Sequence, residues 1–251
     1  MMGLSLPNEL EDGAGTPLIL LHGWLGSRES WQQVRDHLDV DNPLLVYDQR
    51  CHGDAPCQGF DFGDLADDLH ALVQGHGLDD PVLVGHSMGG MVALTYAARH
   101  GAPAGLLLLG TSAATPDPEL ESPAFYLDRF GEMDRRAWAE RITDNYIDGR
   151  GPLWEETVEQ LVAADDEAVV SGLRAMVDYD VRGELDAVDV PARVVGGHRD
   201  RAIPPHQVEE LADLLDCPFD MIESAHLMLQ EVPGMVADTI DAFAGETANQ
   251  S

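Results

Sequence analysis

The chain contains no lysine: all fourteen basic residues among its 251 are arginine. Against them stand 46 acids, giving a formal net charge of −32 at neutral pH. Such a surface repels phosphate, which argues against nucleic acid as a partner. No apolar run approaches the roughly 20 residues needed to cross a bilayer. Residues 1–12 lack the basic and long apolar regions of a secretory signal. The expectation is therefore a cytoplasmic protein with no membrane partner. Cysteine is scarce: Cys51, Cys57 and Cys217 make an odd count without CxxC spacing. A disulfide framework or zinc knuckle is not expected, and free thiols in a reducing compartment are. No H-E-x-x-H, paired Asp-x-Asp or Cys/His cluster implies a metal. No dinucleotide fingerprint follows the first strand, so no cofactor is expected.

The acids are scattered as short pairs such as Asp67-Asp68, Asp79-Asp80, Glu155-Glu156 and Glu209-Glu210, not gathered in one tail. That distribution describes a solvated acidic surface. At about 0.1 M salt it repels itself, and concentrated salt screens the repulsion. Together with the missing lysine, the chain resembles halophilic proteins.

Hydrophobic residues make up 44% of the chain, enough for a core. Apolar runs at 17–21, 44–47, 81–84 and 106–109 suit strands buried on both faces. Phe62, Leu65, Ala66, Leu69, Leu72 and Val73 follow helical spacing, and 91–100 continues as a helix closed by Gly101. Strand–helix alternation implies crossovers, a mostly parallel sheet and an α/β fold. Between Ser112 and about Gly183 the pattern becomes helical, acidic and aromatic. Strands return at 190–195 and 219–222, with helices at 205–215 and 232–243. One sheet domain interrupted by a helical insertion is the simplest organisation.

The sharpest local signal is Gly85-His86-Ser87-Met88-Gly89-Gly90, a G-x-S-x-G turn between an apolar strand and a helix. Such a turn holds a serine in a strained conformation above the sheet. Its glycines leave room where strand and helix backbones approach.

On these residues, with Leu21-His22-Gly23-Trp24, Tyr47-Asp48-Gln49-Arg50-Cys51-His52-Gly53, Gly197-His198-Arg199-Asp200 and Ser224-Ala225-His226, the chain resembles the α/β-hydrolase superfamily. The resemblance covers residues 17–110 and 190–243. It implies a mostly parallel twisted sheet flanked by helices, with a helical cap inserted after the sixth strand. The core would be 1–112 and 184–251, and the cap 113–183.

A serine hydroxyl needs an adjacent base to act as a nucleophile. His226 sits just beyond a predicted strand, where sites of open α/β sheets gather. It also matches the family's catalytic histidine. Asp200 is one of 46 acids, and chain order singles it out. Ser87, Asp200 and His226 follow the Ser…Asp…His order of this fold. Asp48 belongs to a turn that the resemblance marks as structural. The oxyanion donors would be the Met88 N–H, next after the nucleophile, and, by the family's His-Gly-x turn, the Trp24 N–H.

The implied activity is hydrolysis of a small ester, lactone or thioester through an acyl-enzyme on Ser87. The elbow is similar to those of small-molecule esterases and 3-oxoadipate enol-lactonases. Residues 21–27 with Trp31 resemble instead the menaquinone-pathway lyase that eliminates pyruvate. Arg129, Arg141 or Arg174 would then bind an acidic substrate. A non-catalytic binder of small ligands on the same fold is the third reading. Oligomeric state is not readable.

Overall fold

The computed structural model describes residues 4–119 and 121–248. Seven strands are present: β1 Asn8–Glu11, β2 Leu18–Leu21, β3 Leu44–Tyr47, β4 Val82–His86, β5 Gly105–Leu109, β6 Ala192–Gly197 and β7 Phe219–Ile222. They form one sheet in the order β1-β3-β2-β4-β5-β6-β7. β1 pairs antiparallel with β3, and every other pairing is parallel.

The helices are α1 Gln32–Arg35, α2 Phe62–His76, α3 Met88–His100, α4 Pro123–Arg129, α5 Arg135–Tyr146, α6 Pro152–Ala163, α7 Asp166–Val177, α8 Pro205–Leu214, α9 Met228–Glu231 and α10 Pro233–Ala248.

The central strands are buried throughout, as their unbroken apolar runs require. Alternation divides them between two layers. Ile19, Leu21, Leu45, Leu83, Leu106 and Leu108 pack toward α2 and α3. Leu18, Leu20, Val46, Val84, Leu107 and Leu109 pack toward α10 and the segment holding Trp31 and Val34. Helix α2 starts at a reciprocal cap between Asp61 and Asp64 and stops at Gly77 in the left-handed region, φ 63°.

Two sequence expectations are corrected. The helical insertion α4–α7 leaves the sheet after β5, the fifth strand here, because one strand fewer precedes it than in the family pattern. Cys51 and Cys57 are joined in a disulfide, leaving Cys217 as the free thiol. The chain doubles back between them: Cys51 has φ 64°, and its N–H donates to the Pro56 carbonyl at 3.2 Å. Spacing rules built on CxxC do not register this turn. The free-thiol argument for a reducing compartment therefore fails for this pair. Burial pushes the Cys217 thiol up to about 11. Among the described residues no helix is long and apolar enough to cross a membrane.

The foot of the insertion is pinned to itself. Val181 N–H donates to the Ala113 carbonyl at 2.9 Å, and Thr115 N–H to the Tyr179 carbonyl at 2.7 Å. Its outgoing and returning ends thus meet at one place above the sheet.

Close approach of α3 to the sheet depends on glycine. A Cβ on Gly85 would lie 2.6 Å from the Gly90 Cα, and one on Gly89 would collide with the Leu21 and His22 carbonyls. Backbone atoms cannot rotate away. Gly89→Ala is expected to lower stability by about 1–3 kcal/mol. An unchanged midpoint in chemical denaturation would contradict this packing.

Candidate active site

β4 runs directly into Ser87, whose backbone sits at φ 52°, ψ −120°. A non-glycine residue there carries about 1–3 kcal/mol of strain, so neighbours must hold it. They do so with four hydrogen bonds. Ser87 N–H donates to the Leu109 carbonyl at 2.9 Å. The Ser87 carbonyl accepts from Gly90 N–H at 2.9 Å, Met91 N–H at 3.2 Å and Thr111 Oγ1–H at 2.8 Å.

The structure brings Ser87, His226 and Asp200 together. His226 lies in the loop between β7 and α9, and its Nε2 is 2.9 Å from Ser87 Oγ. Its Nδ1–H donates to Asp200 Oδ2 at 2.8 Å. Asp200, in the loop after β6, also accepts from Ala202 N–H and Ile203 N–H on Oδ1, both at 2.9 Å. Both carboxylate oxygens are thus engaged, and Asp200 and His226 are buried. This fixes the imidazole tautomer with an unprotonated nitrogen toward the serine hydroxyl.

Trp24 and Met88 flank this serine. The Gly23–Trp24 segment follows β2, and a Cβ on Gly23 would lie 3.3 Å from Ser87 Cβ. Met88 opens α3, so its N–H has no acceptor within the helix. The helix dipole adds partial positive charge at the same end.

His86, the residue before the serine in the elbow, is tied to His226. Its Nε2–H donates to the His226 carbonyl at 2.9 Å. The two rings are 5.2 Å apart, and Tyr146 packs on the other side at 4.9 Å. The Tyr146 carbonyl accepts from His226 N–H at 3.0 Å. Helix α5 thereby reaches from the insertion to the imidazole. No local pattern marks either contact, since both join residues far apart in the chain.

Beneath Trp24, His22 Nε2 accepts from Gln49 N–H at 3.1 Å, while Gln49 Nε2–H donates to the His22 carbonyl at 2.7 Å. The turn around Asp48 is a scaffold, as the resemblance implied. Asp48 is buried, pairs with Arg28, and accepts from the N–H groups of Arg28 at 2.8 Å and Asp54 at 2.9 Å.

Desolvation, with smaller effects from neighbouring histidines, lowers His22 and His86 to about 3. Desolvation also lowers His52 to about 4. All three are neutral in the fold at neutral pH. The unfolded chain binds their protons near pH 6.5. Their contribution is therefore intact above that pH and is lost as pH falls from about 6.5 toward 4. The loss is about 1.4 kcal/mol per pH unit for each fully titrating ring. In concentrated salt, stability is expected to fall steeply from pH 6 to 5. His52→Asn should lower that slope by about one proton; an unchanged slope would contradict the assignment.

Ser87 and His226 open on a narrow cavity of about 40 Å³, walled mainly by Trp24, Met91, Tyr126, Ile142, Leu173 and Met176. Of the three arginines considered for an acidic substrate, none lines it. Arg129 pairs with Glu132 at 3.3 Å, Arg141 pairs with Glu121, and Arg174 lines a separate surface pocket with Asp178 and Glu184.

A strained serine between strand and helix, before an imidazole and a buried carboxylate, defines the hydrolase class of α/β proteins. The sequence profile of the alpha/beta hydrolase family matches residues 18–239, and the chain belongs to that family. It is 31% identical over 209 residues to a pimeloyl-(acyl-carrier protein) methyl ester esterase of Neisseria meningitidis, covering 77% of this chain and 79% of the relative. It is 27% identical over 249 residues to a 2-succinyl-6-hydroxy-2,4-cyclohexadiene-1-carboxylate synthase of Yersinia pseudotuberculosis, covering 94% and 89%. A thermophilic esterase from Thermogutta terrifontis superposes with a TM-score of 0.85 at 27% identity, covering 98% of this chain and 94% of that one.

Proposed function

We propose that the protein hydrolyses a small carboxylic ester, lactone or thioester through an acyl-enzyme on Ser87. One observation carries this reading: Ser87 Oγ lies 2.9 Å from His226 Nε2, and the opposite imidazole nitrogen is held by Asp200 at 2.8 Å. In this mechanism Ser87 Oγ attacks the carbonyl carbon as its proton passes to His226. Asp200 stabilises the resulting imidazolium. The tetrahedral oxyanion rests between the N–H groups of Trp24 and Met88. Collapse expels the leaving group with the proton from His226, and water repeats the sequence on the acyl-enzyme.

Residues 113–183 act as a cap over this serine, and residues 1–112 and 184–251 form the catalytic core. The pinned ends of the insertion and the Tyr146–His226 contact support that division. The substrate is a small molecule, and no cofactor takes part.

A lyase reading has the likeness to the Yersinia synthase in its favour. Arg129 and Arg141, already paired with acids, weigh against an anionic substrate. Short p-nitrophenyl esters separate the two. Turnover is expected, abolished in Ser87→Ala and reduced about 10⁴-fold in kcat by Asp200→Asn. Ester turnover that survives Ser87→Ala, or pyruvate release without ester turnover, would overturn the hydrolase reading.

The scattered acids and absent lysine support a second part of the proposal, that the protein works in a salt-rich medium. Concentrated KCl screens the self-repulsion, so the unfolding midpoint should rise between 0.1 and 3 M KCl. A flat or falling curve would contradict it.

A further inference from the structure

The narrow cavity beside Ser87 carries a polar group that acyl transfer leaves unused. Asn145, in the last turn of α5, lines this cavity. Its side-chain Nδ2 donates to the Glu121 carbonyl and to Tyr126 Oη, each at 3.4 Å. Tyr126 Oη gives its own hydrogen to the Arg141 carbonyl at 2.9 Å, so toward Asn145 it can only accept. Both neighbours of Nδ2 are therefore acceptors. Exchanging the amide's nitrogen and oxygen would set Oδ1 against the Glu121 carbonyl oxygen, so the network selects the orientation with Nδ2 toward it.

That orientation leaves Asn145 Oδ1 buried with no hydrogen-bond partner among the described residues. Buried polar atoms are nearly always paired, and this one belongs to a residue that lines the cavity beside Ser87, so a donor entering there can supply the missing partner. The partner must be a donor. The surroundings restrict which. Glu121 lines the same cavity, and the Arg141 guanidinium holds its carboxyl below the usual range, so it stays anionic. With Arg141 already paired to Glu121, an anionic substituent would find no free cation there. Met91, Ile142, Leu173 and Met176 would desolvate a free ammonium at high cost. A neutral hydroxyl or amide N–H meets both constraints.

The cavity also indicates which half of the substrate carries the donor. It touches Ser87 and His226 directly and is narrow. A wider cleft of about 440 Å³ shares Trp24 and Tyr146 with this cavity and is lined also by Gly23, His86, Glu29 and Glu156, but not by Ser87. On the inference that follows, the acyl group, which stays bonded to Ser87 after the leaving group departs, lies against the first and the leaving group toward the second.

We propose that Asn145 is a specificity determinant, its Oδ1 accepting a hydrogen bond from a neutral O–H or N–H on the acyl part of the substrate. Hydroxyacyl and acylamino esters are then preferred over plain alkyl esters. This inference rests on the acyl-transfer reading of Ser87 and names the substrate class it serves. A site built to bond a hydroxyl rejects an analogue lacking it more strongly than an apolar pocket rejects a missing methylene.

The test compares kcat/KM on matched p-nitrophenyl esters: propionate with lactate, butyrate with 3-hydroxybutyrate, and butyrate with N-acetylglycine. In the wild-type protein at least one donor-bearing ester should exceed its alkyl partner by about tenfold or more. Asn145→Leu should bring that ratio to about one or below. Should Asn145→Leu lose its fold in thermal unfolding, Asn145→Ser, too short to reach the same donor, takes its place with the same expected ratio. Ester turnover with no donor preference, or a preference that persists in Asn145→Leu, overturns this inference while leaving the Ser87 reading intact. Absence of all ester turnover overturns both.

Discussion

The site depends on one constraint: the start of α3 must lie against the ends of β2 and β4 with no side chain between. Glycine at 85 and 89 permits that approach, and the approach forces Ser87 into its left-handed backbone. From there the hydroxyl stands at the C-terminal edge of the sheet, where the loops after β6 and β7 also arrive. Hydrogen bonds from β5 and Thr111 hold the strained residue in place. The reactive geometry is thus a consequence of sheet packing, with strain balanced by a well-bonded surround.

A second constraint is the contrast between surface and interior. The exterior carries most of a large acidic excess, whereas the loops under the serine hold neutral histidines. His22 and His86 stay uncharged because burial makes protonation costly, and each then serves as a fixed hydrogen-bonding element. His86 is bonded to the backbone of His226 and not to its ring, so it sets the imidazole's position without competing for its proton. Tyr146 does the same from the insertion. The helical insertion and the loop that carries His226 are therefore mechanically joined.

Much of this was legible in the chain itself. Strands β2 to β5 announce themselves as unbroken apolar runs because both their faces are covered. Ser87 is legible because a tight strand-to-helix turn demands glycines at fixed offsets. Asp200 and His226 are legible through their order and their positions just beyond strands. Other features leave no such trace. β1, Asn8-Glu9-Leu10-Glu11, is exposed along its length, so no buried pattern marks it. Its acids instead pair with Arg28 and Arg35. The Cys51–Cys57 bridge depends on a local reversal that no spacing rule records. The contacts of His86, Tyr146 and Asn145 join distant segments, and their meaning appears only once the chain is folded.

The central claim is that the imidazole at 226 makes the hydroxyl at 87 a nucleophile. The most direct measurement is intact-mass and peptide mapping after reaction with an aryl fluorophosphonate, in the native protein and in a folded His226→Ala variant. The account predicts a single adduct on Ser87, formed about 100-fold or more slowly once the imidazole is removed. An adduct on another residue, or labelling of Ser87 at the same rate in both proteins, would contradict it.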